Sequence, residues 1–120
     1  MRGRSLASIA LGSTALSVVA CCALAQDRKG IRFWNLTAHT ITALHMSPAG
    51  EEKWGPDQCK NDRDGTVDHD ERLRINGIEP GRYDARVSFP NSRQCVVRDI
   101  EIKADAVFSI ADKDLKDCTK

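Results

Sequence analysis

The chain reads as an all-β protein, a small antiparallel β-sandwich of six to seven short strands with one short C-terminal helical turn. Three observations predict this. Apolar and polar residues alternate over short runs, the period of a sheet with one buried face. Clusters of Gly, Pro, Asn, Asp and Ser separate those runs at short intervals. Three cysteines follow the first 25 residues, enough to staple a domain whose core is modest at this length.

The first 25 residues have the character of a secretory signal peptide. Arg2 and Arg4 give a positive start, Ser5 to Gln26 carries no charge, and the apolar run closes on Ala23-Leu24-Ala25. Cleavage is expected between Ala25 and Gln26, leaving residues 26–120 as a single β-sandwich domain with no membrane span. Two alternatives stay open: an uncleaved anchor, and a lipoprotein acylated at Cys21 after Val18-Val19-Ala20.

The first strand is expected over Ile31 to Leu36, with Ile31 and Phe33 on one face and Trp34 and Leu36 on the other. Thr37-Ala38-His39 is a turn, and Thr40 to Met46 is a second strand ended by Ser47-Pro48-Ala49-Gly50. Glu51 to Asp70 is a long polar loop. Glu71 to Asn76 returns to alternation through Leu73 and Ile75, and Gly77 to Gly81 makes a tight turn. The clearest strand places Tyr83, Ala85, Val87 and Phe89 on one face and Asp84, Arg86 and Ser88 on the other. Pro90-Asn91-Ser92 forms a hairpin turn. Cys95 to Ile102 and Ala106 to Ile110 follow as strands, and Ala111 to Cys118 suggests a helical turn capped near Asp112.

Two resemblances rest on these runs. Ile75 to Val87 looks like the L-x-P-G-x-Y-x-V-x-V hairpin of prealbumin-like and carboxypeptidase-regulatory-like sandwich modules, within residues 73–110. Asn35-Leu36-Thr37, Thr40-Ile41, Ser47-Pro48, Trp54-Gly55-Pro56-Asp57 and Tyr83 to Val87 resemble a group of small exported β-sandwich proteins of proteobacteria with the pattern N-x-T-x-x-T-I, S-P, W-G-x-D and Y-D-x-R-V. The second resemblance implies a periplasmic or secreted sandwich and brings no activity with it.

Without Arg2 and Arg4, 16 Lys and Arg face 17 Asp and Glu, a net charge near −1 with interspersed signs. This excludes the concentrated basic face of a nucleic-acid binder. In an oxidising compartment two of Cys59, Cys95 and Cys118 are expected to pair. Cys95 with Cys118 is favoured, and Cys59 with Cys118 is the rival. Zinc is not expected, since cysteine and histidine spacings do not suit it.

The acidic loop is the one stretch with a ligand-like spacing. With Lys60 as the first position of a twelve-residue calcium loop, Asp62, Asp64, Asp68 and Glu71 fall at positions three, five, nine and twelve, and Gly65 at six. A hard cation wants several carboxylate oxygens converging from one tight turn. Lys60 stands where the first carboxylate belongs, and Trp54-Gly55-Pro56 cannot be an entering helix. A non-helical calcium loop using Asp57, Asp62, Asp64 and Asp68 is the variant reading; a solvated loop rich in turn residues is the plain one.

His39, His45 and His69 are scattered, no nucleophile sits in a G-x-S-x-G motif, and Cys59 as a catalytic thiol would need a histidine partner in space and a reducing or protected setting. Trp34, Trp54, Tyr83 and Phe89 are candidates for a carbohydrate-stacking patch, with core packing the better account of Tyr83 and Phe89. The expectation is a non-catalytic secreted or periplasmic binding or structural domain. Its partner would be a protein or envelope component, met through the edge strands and the 51–70 loop. The alternative is a calcium-stabilised envelope domain built on residues 60–71.

Overall fold

The alternating runs become seven strands in the computed structural model, which describes residues 30–120. They are β1 (Arg32–Leu36), β2 (Ala43–Pro48), β3 (Arg72–Arg74), β4 (Gly81–Ser88), β5 (Gln94–Ile102), β6 (Val107–Ala111) and β7 (Lys116–Thr119). The expected leader, with Cys21, Cys22 and its cleavage point, lies outside the described residues. No helix among the described residues is long and apolar enough to cross a membrane.

Two sheets form, ordered β3-β1-β6 and β2-β4-β5-β7. All pairs are antiparallel except β1–β6, which runs parallel from Arg32 opposite Val107 to Leu36 opposite Ala111. Phe33, Leu73, Phe108 and Ile110 of the small sheet face Leu44, Met46, Ala85, Val87, Cys95 and Val97 of the large one. Phe33 and Phe108 meet at 5.4 Å between ring centroids. Burying each large apolar side chain stabilises the fold by about 1.5–3 kcal/mol.

Between the sheets the chain switches at Ile41 and Thr42. Ile41 bridges Val67, while the Thr42 N–H donates to the Ser88 carbonyl at 2.8 Å. The second strand therefore begins at Ala43 and runs on through Pro48, beyond the end expected at Met46. Proline is tolerated there because β2 is an edge strand. Residues 51–57 fold back over that edge: the Gly55 N–H donates to the Met46 carbonyl at 2.9 Å, and the Leu44 N–H to Asp57 Oδ1 at 3.0 Å. Such cover blunts an open sheet edge.

Three further departures have local causes. Asp84, expected on the solvent face of β4, is buried, because a register irregularity lies between Tyr83 and Ala85 and Asp99 opposite adopts φ 58. The same irregularity explains why burial on β5 passes from Val97 to Ile102 out of phase. The expected C-terminal helical turn is a short 3-10 turn, Asp112–Asp114, after which the chain extends as β7 along β5. The long polar loop is partly interior: a 3-10 turn at Gln58–Asn61 buries Gln58 and Cys59, and Val67 is fully buried.

Candidate functional site

The acidic loop uses its carboxylates and carbonyls for turns. Asp57 Oδ1 accepts the Cys59 N–H at 2.9 Å, and the Asp62 carbonyl accepts the Gly65 N–H at 3.0 Å. Glu71 Oε1 accepts the Asp68 N–H at 2.7 Å, while Asp68 Oδ1 accepts the Thr40 hydroxyl at 2.9 Å. Asp62, Asp64, Asp68 and Glu71 do not converge: among the described residues no three His, Cys, Asp or Glu side chains are grouped so as to hold a metal ion. The spacing of a calcium loop is present here without a grouped ligand set among the described residues, and the loop carries a partly buried 3-10 turn at Gln58–Asn61 and the Ile41–Val67 bridge.

Cys95 and Cys118 form a disulfide, with sulfurs 2.05 Å apart. Cys59 is a free, buried thiol whose Sγ lies 3.8 Å from the Ile41 carbonyl oxygen. Burial, with the Asp57 carboxylate close by, pushes that thiol up to about 12. A protonated thiol is no nucleophile at neutral pH.

The aromatic candidates are dispersed. Trp34 lies on the outer face of the small sheet, with the Arg72 guanidinium 4.1 Å from its ring centroid and its Nε1–H donated to Asp70 Oδ1 at 2.9 Å. Trp54 covers Arg86 on the outer face of the large sheet at 4.8 Å. The Arg86 Nε is buried without a hydrogen-bond partner among the described residues, so the indole face is that group's contact. Tyr83 donates its hydroxyl to the Glu79 carbonyl at 2.7 Å, and Phe89 is buried. No common stacking patch results, since the two indoles occupy opposite faces of the sandwich.

A concave feature lies elsewhere, beside the 89–93 hairpin. The 38–40 turn forms one wall and Phe89, Pro90, Asn91 and Arg93 the other, enclosing an open cleft of about 410 Å³. Each wall is built by a specific local device. Asn35, fully buried, fastens the 37–39 turn: its Nδ2 donates to the His39 and Val67 carbonyls, both at 2.9 Å, and its Oδ1 accepts the Thr37 N–H and hydroxyl. The opposite wall is a three-residue hairpin loop. Ser92 N–H donates to the Phe89 carbonyl at 3.0 Å, Ser92 takes φ 69, and Phe89 N–H donates to the Arg93 carbonyl at 2.9 Å. Asn91 Oδ1 also accepts the Arg93 N–H at 3.0 Å.

Phe89, nearly buried, is among the residues that line the cleft. The His39 ring meets it edge-on, centroids 6.2 Å apart, and the Arg93 guanidinium sits 5.7 Å from its centroid. Arg93 Nη2 reaches the disulfide, 3.4 Å from Cys118 Sγ, and no carboxylate among the described residues pairs with this cation. No carboxylate lines the cleft. Two acidic groups bond to lining residues: Asp112 accepts the Ala38 N–H at 3.1 Å, and Asp68 accepts the Thr40 hydroxyl at 2.9 Å.

Sequence reasoning placed His39 in a turn and Phe89 in the core, both correctly, and passed over Asn91 and Arg93. The only trace they leave is a turn tripeptide followed by an arginine. His45 and His69 stand apart, each held to a backbone carbonyl, Gly55 at 2.8 Å and Thr37 at 2.7 Å. Compared with protein-family models, with curated proteins and with solved structures, the chain matches none of them.

Proposed function

We propose that this chain is a non-catalytic binding domain of an exported, periplasmic or secreted protein, and that its contact site is the cleft between the 38–40 turn and the 89–93 hairpin. The disulfide-bonded β architecture is compatible with an extracellular setting. The leader-like first 25 residues and the resemblance to small exported proteobacterial sandwiches support the same compartment.

One observation carries the choice of site: a guanidinium without a carboxylate partner among the described residues and an imidazole flank the same aromatic ring in one cleft of about 410 Å³. A rigid scaffold presenting a few polar groups around an apolar floor is the usual form of a small ligand site. A binding role is favoured because the cleft's one hydroxyl, on Thr40, donates to Asp68 and not to His39.

Amide chemical-shift mapping of the oxidised protein against a set of small fragments tests this. Perturbations should cluster at residues 38–40 and 89–93. Hits that gather instead on the 51–57 strap or on the outer sheet faces would overturn the assignment.

A further inference from the structure

We infer that the cleft beside the 89–93 hairpin takes a singly charged carboxylate borne on a flat apolar body. This rests on the reading of the cleft as the binding site and adds the chemistry of its ligand.

Charge decides the first part. The cleft offers one fixed cation, Arg93, and one histidine, His39, with no carboxylate in its lining. Arg93 spends one N–H direction on Cys118 Sγ, and its Cζ stands 5.7 Å from the Phe89 ring centroid. The remaining N–H groups have no acceptor among the described residues. A guanidinium fork matches the two oxygens of a carboxylate in one plane. A doubly charged phosphate group would need more than one fixed cation, or a row of converging backbone N–H groups. The hairpin offers no such row, because the N–H groups of Phe89, Ser92 and Arg93 are already donated within the turn.

Shape decides the second part. The exposed Pro90 and Ala38, with the small uncovered part of Phe89, give the lining its apolar surface. Asn91 and Thr40 add neutral polar groups at the sides, and Asn91 keeps its amide N–H₂ undonated among the described residues. A carboxylate at Arg93 would therefore carry its body across the Phe89 edge toward His39. The ligand class is an aryl carboxylate, free or as a chain end.

Titration of the full-length oxidised chain with benzoate, benzamide, acetate and inorganic phosphate, followed by amide and side-chain NMR, tests the inference. Benzoate should shift Arg93, Asn91 and His39 saturably. Benzamide and acetate should each bind about tenfold more weakly, one lacking the charge and the other the body. Phosphate should bind no better than acetate. Arg93→Gln should erase the preference for benzoate over benzamide while the spectrum outside 89–93 and the melting temperature are retained; Arg93→Lys should restore part of it. Equal binding of benzoate and benzamide would overturn the carboxylate assignment and leave the cleft as the site. Preference for phosphate would overturn the ligand class. Shifts absent from the cleft with all four probes at tens of millimolar would overturn both readings.

Discussion

Asn35 Oδ1 accepts both the backbone N–H and the hydroxyl of Thr37, at 2.9 and 2.7 Å, inside a fully buried network. With two donations from Nδ2 every hydrogen-bonding position of the carboxamide is used, and the strand end, the Val67 segment and the His39 turn are joined through one side chain. This gives a physical reason for an Asn and a Thr spaced two apart at Asn35 and Thr37.

Asn35→Ala should therefore cost about 3 kcal/mol, since buried donors and acceptors lose their partners without access to water. Urea unfolding measures the loss. The same substitution should weaken ligand binding in the cleft, because His39 is no longer held in position; intact binding despite the lost stability would show that the turn is placed by other contacts.

Asp84 is the second buried polar anchor. Burial pushes its carboxyl up, but N–H groups of Gly50 and Asp99, both at 2.9 Å, and Arg98 at 3.3 Å outweigh that and hold it below its ordinary value. A carboxyl that is more acidic folded than unfolded stabilises the native state above the unfolded pKa, about 4. That contribution is lost as pH falls through the folded value. Unfolding free energies at pH 7 and pH 3 should thus differ more in the parent than in Asp84→Asn. At neutral pH, Asp84→Ala should cost about 3 kcal/mol, mostly from the stranded backbone donors, as Arg98 is half exposed.

The disulfide ties the exposed β7 strand to β5 across 23 residues of sequence. Closing a loop of that length restricts the unfolded chain and is worth about 3 kcal/mol. Paired substitution of Cys95 and Cys118 by Ala, or reduction, should lower the melting temperature by roughly 15 °C. A shift of a degree or two would mean that β7 contributes nothing the sandwich lacks without it.

Cys59 should be inert in the folded protein. Its thiol has no exposed surface and is pushed up to about 12, so alkylation at neutral pH requires opening of the 58–61 turn or global unfolding. Iodoacetamide labelling should be slow in buffer and rise with urea in step with the unfolding transition; fast labelling in buffer would reveal a local opening.

Calcium separates the two readings of the acidic loop. With Glu71 and Asp68 bound to protein donors, melts in millimolar calcium and in chelator should superimpose. A rise of several degrees in calcium, removed by Asp62→Ala, would restore the ion-loop alternative.

Which side chains face inward was legible wherever alternation was strict, as at Phe33, Leu73 and the run from Ala85 to Phe89. The pleat sets that period residue by residue, and each strand reports it alone. The disulfide partners were legible as the favoured of two pairings, on the strength of cysteine count and tail position. Other features depended on which segments meet. The parallel β1–β6 pair, the tail becoming β7 and the burial of Gln58 and Cys59 follow from neighbours far away in sequence. Asp84 turned inward because an irregularity opposite Asp99 shifts the phase, which periodicity cannot encode. The cleft is the extreme case. Its walls, at residues 38–40 and 89–93, are brought side by side by the Thr42–Ser88 backbone bond and the Asn35 network. Local pattern determines which face a residue presents; only long-range pairing decides which other residues share the space in front of it.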